Sequence, residues 1–498
     1  MVKYFLVGGK TDDLKSNYIE KQLLSLVNSA QVNILYFPTA MKDSQKSINH
    51  FINTFSSLQV RITVCELFNK VYSKEELDTM FQEADIIYVG GGDTRVLVEK
   101  FKEQGIDKLL IKYKDSNKIY AGISAGAILY TKSGMGDSDT YVDHNRTYNF
   151  KMVEGLGLID LYVCPHYNKE DLYIFNDEIK DKPLSLALED DTAVLIEESN
   201  IHSYIANTRH SVYKFEYGLM SKISEEAKIH VLGLNTYSYF AALKHRINNN
   251  IYNPIVDHST IRKVIESVKG NDYAIVPIEN SLDGYVSETL DLLYENDLEI
   301  INELNLKISF SLVSNVNVDK ISKIYVQFKA RGQCLNYLSS IDKPFIETDS
   351  NIESLNLLLK NKGDLAAIVP TYLVSNFKFN TLVNDVCDKT NNYTRFVVLR
   401  NKNKESVNIN SKCHSSFLLI PSKDESGILY SMLKMFNDYK INLNAIMSRP
   451  TKEGLGKYYF YVEFSLNDTN LLNKMLENYT QREDYVIKNL GVYTKEGV

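Results

Sequence analysis

Lys118-Ile119-Tyr120-Ala121-Gly122-Ile123-Ser124-Ala125-Gly126-Ala127-Ile128-Leu129-Tyr130 decides the fold of the first part of the chain. Lys118 to Ala121 reads as an apolar strand and Ala125 to Tyr130 as helix-compatible. Between them Gly122-Ile123-Ser124-Ala125-Gly126 fits G-x-S-x-G, the pattern of a serine held at a strand-to-helix elbow. Glycines flank such a serine because the tight turn brings backbone too close for a Cβ. Outward from it, VKYFLVG (2–8), VNILYFP (32–38), RITVCEL (61–67) and DIIYVGGG (85–92) read as strands, and SNYIEKQLLSLVN (16–28) has helical period. This alternation over about 220 residues predicts an α/β domain, a parallel sheet covered by helices.

The pattern lapses in EYGLMSKISEEAK (216–228), so a boundary is expected near Ser224. Strand and helix signals then resume: IHVLGL (229–234), DYAIVPIE (272–279), SETLDLLYE (287–295), KISFSLV (307–313), KIYVQF (323–328), LAAIVP (365–370) and TRFVVL (394–399). The polar run NKNKESVNINSK (401–412) reads as a linker. After it, SSFLLIP, GILYSMLKMFNDYK, NLNAIMS, KYYFYVEFSL, NLLNKMLENY and VIKNLGVY give strand-helix-strand-strand-helix-strand, the split unit of ferredoxin-like α+β folds. The expected domains are 1–222, 226–402 and 413–498, in line with the domain number that 498 residues suggest.

Composition narrows the function. Hydrophobic residues at 44% and charged residues at 24% are ordinary for a folded globular chain and leave little room for long disordered segments. The net charge of −7 argues against a nucleic-acid or anionic-membrane partner. No stretch has the length of a membrane span or the form of a signal peptide. The cysteines, Cys65, Cys164, Cys334, Cys387 and Cys413, are scattered singly, without zinc-ligand spacing, which suits a reducing cytoplasm.

A serine nucleophile needs a base and an orienting acid. His166 in Val163-Cys164-Pro165-His166-Tyr167 is the candidate base, and Asp137 in Gly134-Met135-Gly136-Asp137-Ser138-Asp139 the candidate acid, giving the chain order Ser, Asp, His. Gly91 and Gly92, at the end of a strand, and Ala125 are placed to offer N–H groups to an oxyanion. Each element alone also reads blandly: G-x-S-x-G as a plain tight turn, His166 as a satisfied structural histidine.

In the joint order GGGDT (90–94), GISAGA (122–127), GDSD (136–139), GLGLI (155–159), CPHY (164–167) and ALEDDTAVL (187–195), the region resembles the peptidase E and cyanophycinase family of serine peptidases. The resemblance implies a class I glutamine-amidotransferase-like fold. It gives Ser124 as nucleophile, His166 as general base, Asp137 as orienting acid, and Gly91 or Gly92 with Ala125 as oxyanion donors. Small peptides, such as dipeptides with an N-terminal aspartate, are the substrates it suggests.

In the middle region Pro277-Ile278-Glu279-Asn280-Ser281 ends an apolar strand in a polar cluster, and Asn391-Asn392-Tyr393-Thr394-Arg395-Phe396 sets another against a strand. Polar groups at strand ends suit a small ligand in a crevice, or equally a capped turn and strand entry. With Gly233-Leu234-Asn235-Thr236-Tyr237-Ser238, Ile324-Tyr325 and Gln333-Cys334, they resemble the prephenate dehydratase family over roughly 228–400. The resemblance implies a two-lobed periplasmic-binding-protein-like fold with prephenate between the lobes, losing carbon dioxide and hydroxide to give phenylpyruvate without metal or organic cofactor. Thr394 is the implied catalytic residue, Thr236, Ser238, Glu279, Asn280 and Ser281 are implied pocket residues, and Arg395 is implied to hold either the lobe geometry or a substrate carboxylate. Two segments depart from the family: GLNTYS is shorter than its Gly-Pro-x-Gly loop, and Val326-Gln327-Phe328-Lys329 replaces Ser-His-Pro-Gln, where Lys329 restores a positive charge.

Residues 413–498 resemble the ACT domain that follows the dehydratase in that family and binds phenylalanine at a subunit interface. The implied allosteric residues are Gly427, Ile428, Leu429, Asn442, Ser448, Arg449 and Pro450, and a homo-oligomer is expected. The family's Glu-Ser-Arg-Pro reads Met447-Ser448-Arg449-Pro450 here, which removes a carboxylate acceptor. The sequence thus points to a prephenate dehydratase of phenylalanine biosynthesis fused to a serine-peptidase-like domain. The alternative is a working peptidase whose other domains sense an aromatic metabolite; in a third version the N-terminal domain is an inert or amidotransferase-like partner.

Overall fold

The computed structural model describes residues 2–11, 17–27, 29, 31–58, 60–138, 150–167, 174–198, 200–207, 209–234, 236–249, 251–361, 363–374, 379–402, 413–454, 456–467, 469–479 and 482–495. Most of the expected 401–412 linker, and Asp139 and Asn235, lie outside the described residues. The chain divides into two units, Met1–Glu226 and Ala227–Val498.

In the first unit a seven-stranded sheet runs, edge to edge, Asn200–Ile205, Thr192–Glu197, Lys3–Val7, Ile119–Ile123, Ile86–Val89, Val32–Phe37, Val60–Val64. From Lys3–Val7 to Val60–Val64 the strands are parallel, as the alternation predicts. Tyr4, Leu6, Phe37, Ile87 and Tyr120 face a buried core shared with Leu97, Phe101, Ile128 and Tyr130. The Tyr130 hydroxyl sits among these side chains and donates to the Ile87 and Ala121 carbonyls, so its burial leaves no unpaired donor.

Two features differ from the expected all-parallel sheet. Thr192–Glu197 and Asn200–Ile205 form a hairpin that adds antiparallel to Lys3–Val7. A second, six-stranded sheet follows the elbow: Leu219–Ile223, Val212–Glu216, Ser185–Leu188, Ile159–Pro165, Thr131–Gly136, Lys151–Glu154. The segment read as a lapse contains its edge strand, paired through Phe215↔Met220 and turned at Tyr217-Gly218, both with positive φ. Leu219 to Lys222 are all exposed, so no alternation of buried and exposed residues marks the strand.

The second unit holds a five-stranded sheet, Phe345–Thr348, Lys323–Gln327, Leu365–Pro370, Phe310–Ser314, Thr381–Val383. It forms one lobe, reached and left by connections to a larger, ten-stranded sheet. That sheet begins Ile255–His258, Ile229–Leu232, Tyr273–Asn280, Tyr393–Asn401, Leu298–Lys307 and continues Tyr485–Lys495, Cys413–Pro421, Tyr458–Leu466, Leu443–Pro450, with the short tenth strand Gly284–Tyr285 paired onto Tyr273–Asn280. The last four strands, with helices Ile428–Asp438 and Thr469–Tyr479, make the strand-helix-strand-strand-helix-strand unit read from the sequence. A parallel pairing of Asn302 and Glu303 with Thr494 and Lys495 joins it to the preceding strands, so both share one continuous sheet. Among the described residues no helix is long and apolar enough to cross a membrane.

Candidate active sites

The first site stands where the Ile119–Ile123 strand turns into the Ala125–Tyr130 helix. Ser124 has φ 54 and ψ −114, a left-handed strained conformation for a residue with a Cβ, and its N–H is anchored on the Val7 carbonyl at 3.1 Å. Its Oγ lies 3.0 Å from His166 Nε2, and His166 Nδ1 lies 2.5 Å from Asp190 Oδ1. A proton on Nδ1, donated to Asp190, leaves Nε2 to accept from the serine hydroxyl, the tautomer a general base requires.

The carboxylate hydrogen-bonded to His166 is therefore Asp190, not Asp137, and the three groups in contact follow in the chain order Ser, His, Asp. The reason is strand register. Ile159–Pro165 and Ser185–Leu188 run parallel with Pro165 beside Leu188, so the residues leaving the two strands, His166 and Asp190, emerge side by side. Asp137 follows the Thr131–Gly136 strand, and the hydroxyl next to it, that of Ser138, accepts from the Thr94 N–H.

The turn bearing Asp190 is itself held. His210 Nδ1 donates to the Asp190 carbonyl at 2.6 Å, and buried Asp191 accepts from the Thr11 N–H and hydroxyl at 2.9 and 2.7 Å. Gly9 closes in from the Lys3–Val7 side: a Cβ there would fall 2.4 Å from His166 Nδ1 and 2.0 Å from Asp190 Oδ1. Gly91 abuts the nucleophile, since a Cβ on it would lie 3.1 Å from Ser124 Cβ. The loop is tied by Gly90 N–H to Phe37 O and Asp93 N–H to Ala40 O, so the amides of Gly91 and Gly92 between them stay outside that pairing. Gly91 is thus the expected donor residue that the structure places against Ser124, and Ala125 follows it in the chain at the helix start.

The second site lies in the other unit, where Tyr273–Asn280 and Tyr393–Asn401 pair antiparallel with Asn280 opposite Thr394 and Glu279 opposite Arg395. Asn280 Oδ1 accepts from the Leu282 and Asp283 N–H groups, which turns its amide nitrogen toward Thr394 Oγ1 at 3.0 Å and Asn392 Oδ1 at 2.9 Å. Thr394 Oγ1 therefore accepts from Asn280 and keeps its own proton to donate. Asn392, fully buried, then donates to Gln333 Oε1 at 3.0 Å, carrying the network onto a helix of the other lobe. The Ser281 hydroxyl donates to Asn391 O and accepts from Tyr393 N–H, stapling the strand entry.

Three expected pocket residues, Arg395, Thr236 and Ser238, are engaged with or buried in the protein. Arg395 meets no open cleft: its guanidinium pairs with Glu279 at 3.0 Å, Glu303 at 3.1 Å and Glu463 at 2.7 Å, and donates to the Tyr285 hydroxyl. Burial opposes its charge, but Glu463, Tyr461 and Glu303 outweigh burial and hold it protonated. Thr394 and Arg395 point to opposite faces of the strand because side chains alternate, which is why the neighbour of a site residue packs into an ion cluster. The Thr236 hydroxyl is engaged with the Leu232 and Gly233 carbonyls and accepts from Tyr239 N–H, capping the Tyr237–Asn249 helix. Ser238 is buried in that helix. Lys329 is exposed at the start of the helix Phe328–Gln333, whose first turn Gln327 caps through its side chain.

In the C-terminal part Gly427 caps the Ile428–Asp438 helix with φ 87, and Leu429, Asn442, Ser448 and Pro450 are exposed. Arg449 is engaged with Asp291 of the Ser287–Glu295 helix through contacts of 3.0 to 3.1 Å, and Tyr459 and Lys452 complete that carboxylate's shell. Burial raises the Asp291 pKa, but its hydrogen bonds from Arg449, Lys452 and Tyr459 prevail and leave it lowered.

Sequence reasoning passed over Asp190, Gln333, Asn392, Glu303, Glu463 and Asp291 as functional or linking groups. Asp190 carried a signal, the acidic run Glu189-Asp190-Asp191 directly after a strand, and like Gln333 and Asn392 it stood within a quoted motif. Glu303 and Glu463 are charged residues on strands, nearly enclosed at side-chain exposures of 3% and 6%, a placement that only pairing explains.

These two arrangements define a serine-histidine-aspartate triad on an α/β sheet and, in the other unit, a two-lobed α/β fold with a polar network reaching from one lobe to the other. Residues 4–204 match the family model of peptidase family S51, and residues 229–404 that of prephenate dehydratase. The prephenate dehydratase of Methanocaldococcus jannaschii is 33% identical over 238 residues, 47% of this chain and 86% of that protein. The bifunctional chorismate mutase/prephenate dehydratase of Aquifex aeolicus is 28% identical over 327 residues, 64% of this chain and 85% of that protein. The crystal structure of the prephenate dehydratase from Staphylococcus aureus is matched with 29% identity and a TM-score of 0.47, covering 54% of this chain and 100% of that one. The chain belongs to the prephenate dehydratase family and carries an S51-type peptidase domain ahead of the dehydratase region.

Proposed function

We propose that residues 227–498 convert prephenate to phenylpyruvate, carbon dioxide and water, with Thr394 as the group that meets the departing oxygen. The carrying observation is the orientation of Thr394 Oγ1. It accepts from Asn280, whose amide is fixed by two backbone donors, so that bond leaves its hydroxyl proton to be donated to a ligand. As the ring carboxylate leaves as carbon dioxide, its bonding electrons aromatise the ring and expel the C4 hydroxyl, which takes the proton from Thr394, and the threonine recovers a proton from solvent. General acid help of this kind contributes about two to four decades of rate, and orientation supplies more. Gln333, opposite the strand pair, and Lys329 are the donors proposed for the carboxylates. Purified chain incubated with prephenate and followed by phenylpyruvate absorbance tests the reading; ligand binding without turnover would favour a sensor instead.

The assembled triad supports a second activity. We propose that Ser124 attacks an amide carbonyl of a small peptide, that His166 takes its proton and returns it to the leaving amine, and that Asp190 holds the imidazole. The exposed loop Gly427–Leu429 and edge strand Leu443–Pro450 are the proposed phenylalanine site, completed by a second copy of the chain. Calorimetry with phenylalanine, and its effect on prephenate turnover, checks this. Five free thiols fit the cytoplasm as the compartment.

A further inference from the structure

Cys334 and Cys387 lie far apart in the sequence and meet in the smaller lobe of the second unit. Cys334 is fully buried where the helix Phe328–Gln333 gives way to Leu335–Ile341; Cys387 is half-buried and packs against the same cluster. The Asp388 N–H donates to the Gln333 carbonyl at 2.8 Å, and the Asn336 N–H to the Asp388 carboxylate at 3.0 Å, so the two backbones run side by side at the cysteines. Cys387 packs against the cluster that holds Cys334, and its sulfur accepts from the Phe310 N–H at 3.2 Å. The neighbouring Cys334 and the Phe310 N–H lower the Cys387 pKa against its burial, while that of Cys334 is raised. A half-buried thiol of lowered pKa, with a second cysteine on the adjoining backbone, is the arrangement of an attacking and a resolving cysteine.

We propose that Cys334 and Cys387 form a reversible disulfide driven by hydrogen peroxide, which clamps the Val386–Asp388 segment to the helix junction carrying Gln333. The Cys387 thiolate attacks the peroxide O–O bond, giving a sulfenic acid and releasing hydroxide, which is protonated to water. The Cys334 sulfur then displaces the sulfenic hydroxyl, forming the S–S bond and a second water. Two thiols and one peroxide give one disulfide and two waters, with the thiols oxidised by two electrons and the peroxide reduced. Gln333 immediately precedes Cys334 and holds Asn392, so the clamp acts on the bridge between the lobes.

The test treats the full chain, native, with a small excess of hydrogen peroxide, then denatures it and blocks remaining thiols with N-ethylmaleimide. The account expects the adduct number to fall from the five free cysteines by two, a Cys334–Cys387 cross-linked peptide, and full recovery with dithiothreitol. Deuterium uptake across 386–393 should slow at least threefold in the oxidised form. Cys387→Ser should lose both effects. Undiminished adducts, a sulfinic acid on Cys387 without a cross-link, a different cysteine pair, or a cross-link that leaves deuterium uptake unchanged would overturn the proposal. Both readouts are independent of turnover, so a disulfide forming in a chain inactive on prephenate would refute the dehydratase reading and not this one.

Discussion

Arg395→Met removes a guanidinium with 12% side-chain exposure from between Glu303 and Glu463, whose side chains are 3% and 6% exposed, and from Glu279 at the rim. Methionine keeps the aliphatic length, so the loss is chiefly electrostatic: two enclosed carboxylates lose their shared cation, leaving Glu303 with Lys495 at 3.6 Å and Glu463 with the Tyr461 hydroxyl. Breaking a buried pair by removing one partner costs about 3–5 kcal/mol, because the remaining charge is uncompensated. Arg395 ties the Tyr393–Asn401 strand to Leu298–Lys307 and Tyr458–Leu466, so the loss should appear as easier opening of all three. At 1.4 kcal/mol per decade, amide protection in those strands should fall by roughly two to four decades. Hydrogen exchange read by mass spectrometry on peptides from each strand measures it at one pH. Adding Glu463→Gln should restore part of the loss by removing one of the stranded charges. A decrease below tenfold, or a decrease confined to one strand, would refute the assignment of Arg395 as the buried tie of this sheet.

Asp190→Asn should lower the labelling rate of Ser124 by an organophosphonate by about four decades, since the amide favours the wrong imidazole tautomer, while Asp137→Asn should change it less than about threefold. Asp291 has a lowered pKa, so its contribution to stability is present above the unfolded value near 4 and is lost as pH falls through the lower folded value. Asp291→Asn should therefore be less stable than the parent by about 2–3 kcal/mol at neutral pH, with the gap closing below about pH 4 in parallel urea titrations. Asn280→Ala takes away the amide that orients Thr394 and should reduce kcat on prephenate by about two decades with a smaller change in KM.

How far the sequence could be read follows from what each feature depends on. Ser124 sits in a pattern whose function is local: strand, tight turn and helix are contiguous, so the elbow is visible in thirteen consecutive residues. Asp190 depends on which strand lies beside which, and Pro165↔Leu188 pairing is a long-range fact with no local trace. The same contrast holds in the other unit. Thr394 and Asn280 were legible as strand-end polar clusters, whereas the fate of Arg395 depends on Glu463 arriving from a strand 68 residues further on. Thr236 was legible as a hydroxyl near a turn, but its role was set by the helix it caps. The Leu219–Ile223 strand escaped because its residues are exposed on both faces, and periodicity reports burial rather than hydrogen bonding.

The most direct measurement compares Thr394→Val with Thr394→Ser in prephenate turnover by the full chain. Valine keeps the branched shape that suits the strand and deletes only the hydroxyl; serine keeps the hydroxyl beside Asn280. The account predicts a fall in kcat of about two to four decades for valine and less than about one for serine. Equal rates for valine and the parent would contradict it.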